Sequence, residues 1–173
     1  MENQANSKNT ILTYGSYLGG ASVLIALLKY ASGMQYEQEM YSGISGMIVL
    51  IAFIILGIKT FKKENNGFIS FGKALKVGLG VTFIGTLIII IYYALFSMVI
   101  EPNFMENTIE MQKTVWADSF GMTQEQIEIS AETTRKYFYL SLFGGVLIMN
   151  LFLGGLTSLI GGAIMKKTEE DDY

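Results

Sequence analysis

VGLGVTFIGTLIIIIYYALFSMVI, residues 77–100, carries no charged side chain in 24 positions and decides the fold class. A hydrocarbon core about 30 Å thick is crossed by roughly 20 apolar residues at about 1.5 Å of helical rise each, so this run is long enough to span a membrane. Three others flank it: residues 9–28, 40–58 and 137–165, uncharged over 20, 19 and 29 positions. The four runs hold 92 of the 173 residues, and the remainder supplies all of the 16% charged content. A mean hydropathy of +0.41 with 51% apolar residues excludes an ordinary water-soluble domain or a disordered chain. The expected architecture is all-α: an integral membrane four-helix bundle with spans at about 10–31, 40–59, 77–100 and 137–165, treated as one membrane domain over 1–173. Lys8 followed by an apolar stretch and by Ala31-Ser32-Gly33 also resembles a cleavable signal. The run exceeds the usual h-region and further spans follow it, so we read it as an uncleaved first span.

Charge fixes the expected orientation. Lys8, Lys59, Lys62, Lys63, Lys73, Lys76, Lys166 and Lys167 fall on one side, against Lys29, Lys113, Arg135 and Lys136 on the other. By the positive-inside rule both termini and the middle connection are cytoplasmic, and residues 101–136 form an extracytoplasmic helical hairpin between spans 3 and 4.

The missing residues narrow the chemistry. With no histidine and no cysteine, Ser-His and Cys-His catalysis, disulfides and the usual zinc, haem and iron–sulfur ligation are excluded. None of the four runs holds an ionisable acid or base of the kind that intramembrane proteases and proton-coupled transporters place there. An enzyme acting on lipid would have to rest on Tyr14, Tyr17 or Asn150. We expect no catalysis, no cofactor, no metal and no nucleic-acid partner.

Small residues four apart let helices approach closely where packing, rather than water exclusion, drives association. Gly15 and Gly19 form such a pair in span 1, Ser42 and Gly46 in span 2, and Gly78, Thr82 and Thr86 a row in span 3. Asn150, Gly154, Ser158 and Gly162 make the longest stripe, in span 4. Packing within the bundle is the first reading of these rows, and homodimerisation through span 4 the second. Asn150 is expected to make a buried interhelical hydrogen bond.

Between spans 2 and 3, Lys59, Lys62, Lys63, Lys73 and Lys76 form a basic connection over about 59–76, a candidate contact for anionic lipid headgroups. Asn65-Asn66-Gly67 is a turn signal within it, and Ser70 is placed to cap the helix that becomes span 3. Beyond span 3, Pro102 marks the exit. Met105, Ile109, Gln112, Trp116 and Phe120 recur on one helical face, which makes Met105, Ile109, Trp116 and Phe120 a candidate partner surface. The helix expected there runs from about residue 106 to 119. Thr123 and Gln126 form a capping box, and nothing breaks the helix they open before residue 165.

The start MENQ, the connection FKKENNGFISFGKALKVGLG (61–80), EPNFM (101–105), MTQEQIE (122–128) and LIGGAIMKK (159–167), in this order and spacing, resemble the domain of unknown function family 4199. That resemblance implies a small four-pass inner-membrane protein, mainly of Bacteroidota, and brings no site residues with it. The expected function is a non-catalytic accessory or scaffold subunit, touching membrane lipids and either a second copy or another membrane protein. The alternative is transport of a small solute or lipid by an oligomer of bundles.

Overall fold

The computed structural model describes residues 6–36 and 40–167, the side chains of 40–42 excepted. Met1 to Gln4, the acids Glu37 and Glu39, and the side chain of Ser42 lie outside the described residues. Five helices account for nearly all of the rest: α1 (Ser7–Ala31), α2 (Met40–Glu64), α3 (Phe71–Leu95), α4 (Phe104–Phe120) and α5 (Gln124–Met165). All but α4 are long and apolar enough to cross a membrane.

Local chemistry sets where each helix begins and ends. Asn6 and Ser70 accept hydrogen bonds from the N–H groups of Lys8 and Lys73 and so cap α1 and α3. Asn66 and Gly67, with φ of 55° and 86°, make the left-handed turn that reverses the chain after α2. α2 runs through Lys59, Lys62 and Lys63 as far as Glu64, so residues 65–70 alone connect it to α3. α3 ends in a π-helical turn, Phe96–Ile100, closed by the Glu101 N–H donating to the Phe96 carbonyl at 2.9 Å. The helix begun at Thr123 continues unbroken for 42 residues, with both capping-box hydrogen bonds formed.

α3 is the central element, packed most extensively against α1 and α5. Its parallel contact with α1 is built from glycines. A Cβ on Gly15 would lie 2.6 Å from the Ile84 Cβ, one on Gly19 2.6 Å from the Ile88 Cβ, and one on Gly80 2.7 Å from the Ile11 Cδ1. The antiparallel contact with α5 is a ladder in which Ala74 meets Gly162, Gly78 meets Ser158, and Thr82 meets Gly154. Ser158 and Thr82 can be buried because each hydroxyl donates to a carbonyl of its own helix, at Gly154 and Gly78. The span-4 stripe is therefore spent inside the protomer: Gly154, Ser158 and Gly162 are buried against α3 and offer no surface for homodimerisation.

α2 covers the end of this three-helix layer that carries both termini. There Leu50, Ile54, Ile58 and Phe61 join Val77 and Val81 in a closely packed core. Tyr14 Oη and Thr60 Oγ1 share a hydrogen bond of 2.7 Å, and Thr10 donates to Glu64 at 3.3 Å. An isolated antiparallel bridge between Ile69 and Lys167 joins the α2–α3 connection to the end of α5. At the opposite end Phe96, Phe104 and Phe138 form a second, aromatic cluster flanked by Tyr30, Tyr36, Tyr92 and Tyr93.

Candidate functional site

The two packed clusters leave a space between them. A cleft of about 590 Å³ lies between α1, α2, α3 and α5, bordered by Leu18, Leu50, Thr86 and Leu153 on the core side and by Lys29, Tyr92 and Tyr93 on the aromatic side. It exists because α2 stands off from its neighbours there: a Cβ added at Gly43 or Gly46 would meet nothing within 4 Å. Gly46 is thus a wall of the cleft and not a helix-packing contact, the one described member of the predicted glycine pairs that touches no other helix.

Two polar residues of the lining stand at matching register on α3 and α5. The ladder that pairs Gly78 with Ser158 and Thr82 with Gly154 continues, one turn further along α3 and one turn back along α5, to Thr86 and Asn150. Both line the cleft. Thr86 is fully buried, and its Oγ1 lacks a hydrogen-bond partner, unlike the hydroxyls of Thr82 and Ser158 in the same ladder. Asn150 does not make the interhelical hydrogen bond expected of it. It is half-buried and no hydrogen bond reaches its amide. Tyr14 is committed to Thr60 and Tyr17 is exposed on the bundle surface, so neither joins this site.

The basic connection resolves into distinct roles. Lys62 is half-buried and donates to the Met165 carbonyl at 2.8 Å, satisfying a free carbonyl at the end of α5 where the helix dipole is negative. It therefore serves α5 first, whereas Lys59, Lys63, Lys73 and Lys76 are exposed. Lys73 lies over the Phe61 ring at 5.7 Å and Lys167 over Phe68 at 5.4 Å.

The hairpin is docked on α5 and not free. α4 starts two residues before the expected boundary, because Phe104 is drawn into the aromatic cluster. Ile109 is completely buried, Ile127 and Ala131 on the facing helix are buried with it, and Met105 and Trp116 are half-buried. Of the predicted partner surface, only Phe120 stays open, with 72% of its surface exposed. Gly121, at φ 60°, ends α4 through hydrogen bonds from Gly121 and Met122 to the carbonyls of Ala117 and Trp116. Arg135 holds Glu106 with two hydrogen bonds of 2.8 Å, and Lys113 reaches Glu110 at 3.0 Å and Glu128 at 3.6 Å. The Arg135 guanidinium holds the Glu106 carboxyl below the usual carboxylate range, and Glu110, with Glu128, raises Lys113 above an ordinary lysine.

Among the described residues no three His, Cys, Asp or Glu side chains gather where they could hold a metal ion.

The family model for "Protein of unknown function (DUF4199)" matches residues 13–167, from the second turn of α1 to the bridge at Lys167. The chain belongs to this family. It is a multi-pass membrane protein whose family match covers α1 from residue 13, the other three long helices, the hairpin and the cleft. No curated protein and no solved structure matches the chain.

Proposed function

We propose that the protein is a non-catalytic subunit of a bacterial cytoplasmic membrane that recognises a protein partner through the apex of its α4–α5 hairpin. The carrying observation is a rigid mount with one exposed aromatic side chain at its tip. Phe104 and Phe138 fix the base of the hairpin, the Glu106–Arg135 and Lys113–Glu128 pairs fix its length, and Phe120 projects from the turn beside Asp118 and Glu125. An aromatic centre with an acidic rim suits a partner bearing a basic patch with an apolar middle. The bias of lysines toward the other end supports an extracytoplasmic hairpin, with both termini and residues 65–70 in the cytoplasm.

The experiment places a photoreactive amino acid at position 120 and crosslinks in native membranes. The expected result is a single protein adduct that is lost when Asp118 and Glu125 are both changed to lysine. Adducts to lipid alone, or a protein adduct indifferent to the charge reversal, end this reading. Transport through the bundle gains no pathway from one protomer, since Leu50, Ile54, Ile58 and Val77 fill the space between the cleft and the end carrying the termini.

A further inference from the structure

We propose that the cleft between α1, α2, α3 and α5 binds a neutral, lipid-soluble molecule bearing a carbonyl group, seated with that oxygen between Thr86 and Asn150. This stands apart from the hairpin and its partner, and either reading can fail alone.

Position argues first. The continuous helical segment of α3 and its π turn covers residues 71–100, and Thr86 is at its middle. At about 1.5 Å per residue, some 20 Å of helix lies on either side of it. The hydrocarbon half-thickness is about 15 Å, so the ester groups of glycerolipids, which sit at its edge, are too far away to serve Thr86. A partner at this depth has to carry its polar group within the hydrocarbon.

Hydrogen bonding argues next. A buried hydroxyl without a partner costs about 1–3 kcal/mol, and in a helix a threonine can avoid the cost by donating to the carbonyl four residues earlier. Thr82 does so through Gly78, and Thr157 through Leu153. Thr86 does not, and its register partner Asn150 is also without a hydrogen bond. The hydroxyl and the amide NH2 are both donors, and a carbonyl oxygen between them accepts from both. With Ser22 of α1, Thr86 and Asn150 are the polar side chains in a part of the lining that is otherwise apolar, with Leu18, Val23, Met47, Leu50 and Leu153 around them.

Size and access argue last. About 590 Å³ falls within the 300–1,000 Å³ typical of small-molecule pockets, in which a few fixed polar groups orient an apolar ligand. Gly43 and Gly46 form part of its wall, and a Cβ at either would meet nothing within 4 Å.

The test uses the full chain in phosphatidylcholine nanodiscs and a decyl-substituted benzoquinone as probe, with decylbenzene, which lacks carbonyls, as the comparison. Native mass spectrometry and a titration are expected to show one probe per chain and no decylbenzene. Thr86→Val, which keeps the shape and removes the donor, is expected to weaken probe binding about tenfold while leaving thermal stability equal or higher, because it removes an unpartnered group. Gly46→Phe adds a ring at the cleft wall, where a Cβ meets nothing within 4 Å, and is expected to abolish binding, with thermal unfolding checking that the variant is folded. Asn150→Leu is expected to weaken binding as Thr86→Val does. Equal binding of decylbenzene, absence of probe binding, retention of a phospholipid in the cleft in place of the probe, or affinity unchanged in Thr86→Val and Gly46→Phe would each overturn the proposal.

Discussion

Replacing Gly15 by alanine should destabilise the bundle, whereas the same change at Gly46 should not, although both glycines sit in a small-residue pair of the kind that brings helices together. A Cβ at position 15 would stand 2.6 Å from the Ile84 Cβ and 2.7 Å from its Cγ2. Apolar carbons rest at about 3.5–4.0 Å, and the Ile84 Cβ is fixed to its backbone and cannot rotate aside, so α1 has to retreat from α3 by about 1 Å. A gap of that size forfeits roughly a quarter to a half of each contact's well. About 40 atom pairs at 0.1–0.2 kcal/mol each then lose about 2 kcal/mol, within the 1–3 kcal/mol usual for overpacking. Alanine returns up to about 1 kcal/mol of helix propensity, leaving a net loss of about 1 kcal/mol at Gly15. At Gly46, where nothing lies within 4 Å, only the gain remains. The two substitutions should differ by about 2 kcal/mol, or about thirtyfold in the unfolding equilibrium. Adding Gly19→Ala to Gly15→Ala should cost less than the sum, since the helices are by then already apart. The chain has no cysteine, so Lys8→Cys with Lys76→Cys supplies a unique labelling pair at the end carrying the termini. Energy transfer between the labels during reversible unfolding in bicelles measures each variant. Equal effects at positions 15 and 46 would refute the assignment of close packing to one and open space to the other.

Lys62→Met should remove the ammonium that caps α5 and speed amide exchange over its last turn by about tenfold, with α1 unchanged; uniform protection across the variant would deny Lys62 this role. The hairpin should respond to pH only at the extremes. Glu106 has a lowered folded-state pKa, so its contribution is present above the ordinary carboxylate value of about 4.3 and is lost as pH falls through the lower folded value. Lys113 has a raised one, so its contribution is complete below about pH 10.4 and is lost as pH rises through the higher folded value. Emission from Trp116, the single tryptophan, should stay constant from about pH 5 to 10 and move to the red below about pH 4, with a small amplitude because the pairs are exposed. A transition centred near pH 6 or 7 would contradict these assignments.

The long helices were legible because a membrane leaves the backbone few choices: 20 uncharged residues in lipid have to satisfy their own N–H and C=O groups. The caps at Ser70 and Thr123 could be read for a similar reason, since each acts within four residues of itself. Which small residue meets which was not legible. Gly15 and Gly46 look alike in sequence, yet one lies against Ile84 and the other against open space, because what differs is how far α2 stands from its neighbours. The span-4 stripe was visible as a stripe, but its occupant is a second row of small residues in α3, at a register no single segment encodes. Ile109 and Trp116 showed a correct apolar face on α4. That face proved to be turned inward, because Arg135 and Phe138 on α5, around 30 residues away, hold it there. Asn150 stands out in the sequence as the polar residue in span 4, but the clue to its role is the unpartnered hydroxyl of Thr86, which depends on a rotamer.

The same ladder explains why the molecule has a dense half and a hollow half. Along α3 the residues facing α5 change from Ala74 and Gly78 to Thr82 and then to Thr86, while α5 offers Gly162, Ser158, Gly154 and finally Asn150. At the first three steps one side of each pair is no larger than alanine or glycine, so the helices close and the hydroxyls fold back onto their own backbones. At the fourth step threonine meets asparagine, and neither can vanish into the interface as a glycine does. α2 could have filled the resulting space, but toward this end it presents Gly46 and Gly43 after the leucine and isoleucines that pack the other half. A threonine and an asparagine at one step of the ladder, with two glycines on α2 in the same lining, leave the cleft unfilled. A fold requiring only stability would gain from Thr86→Val and a larger side chain at position 46, and the chain has neither.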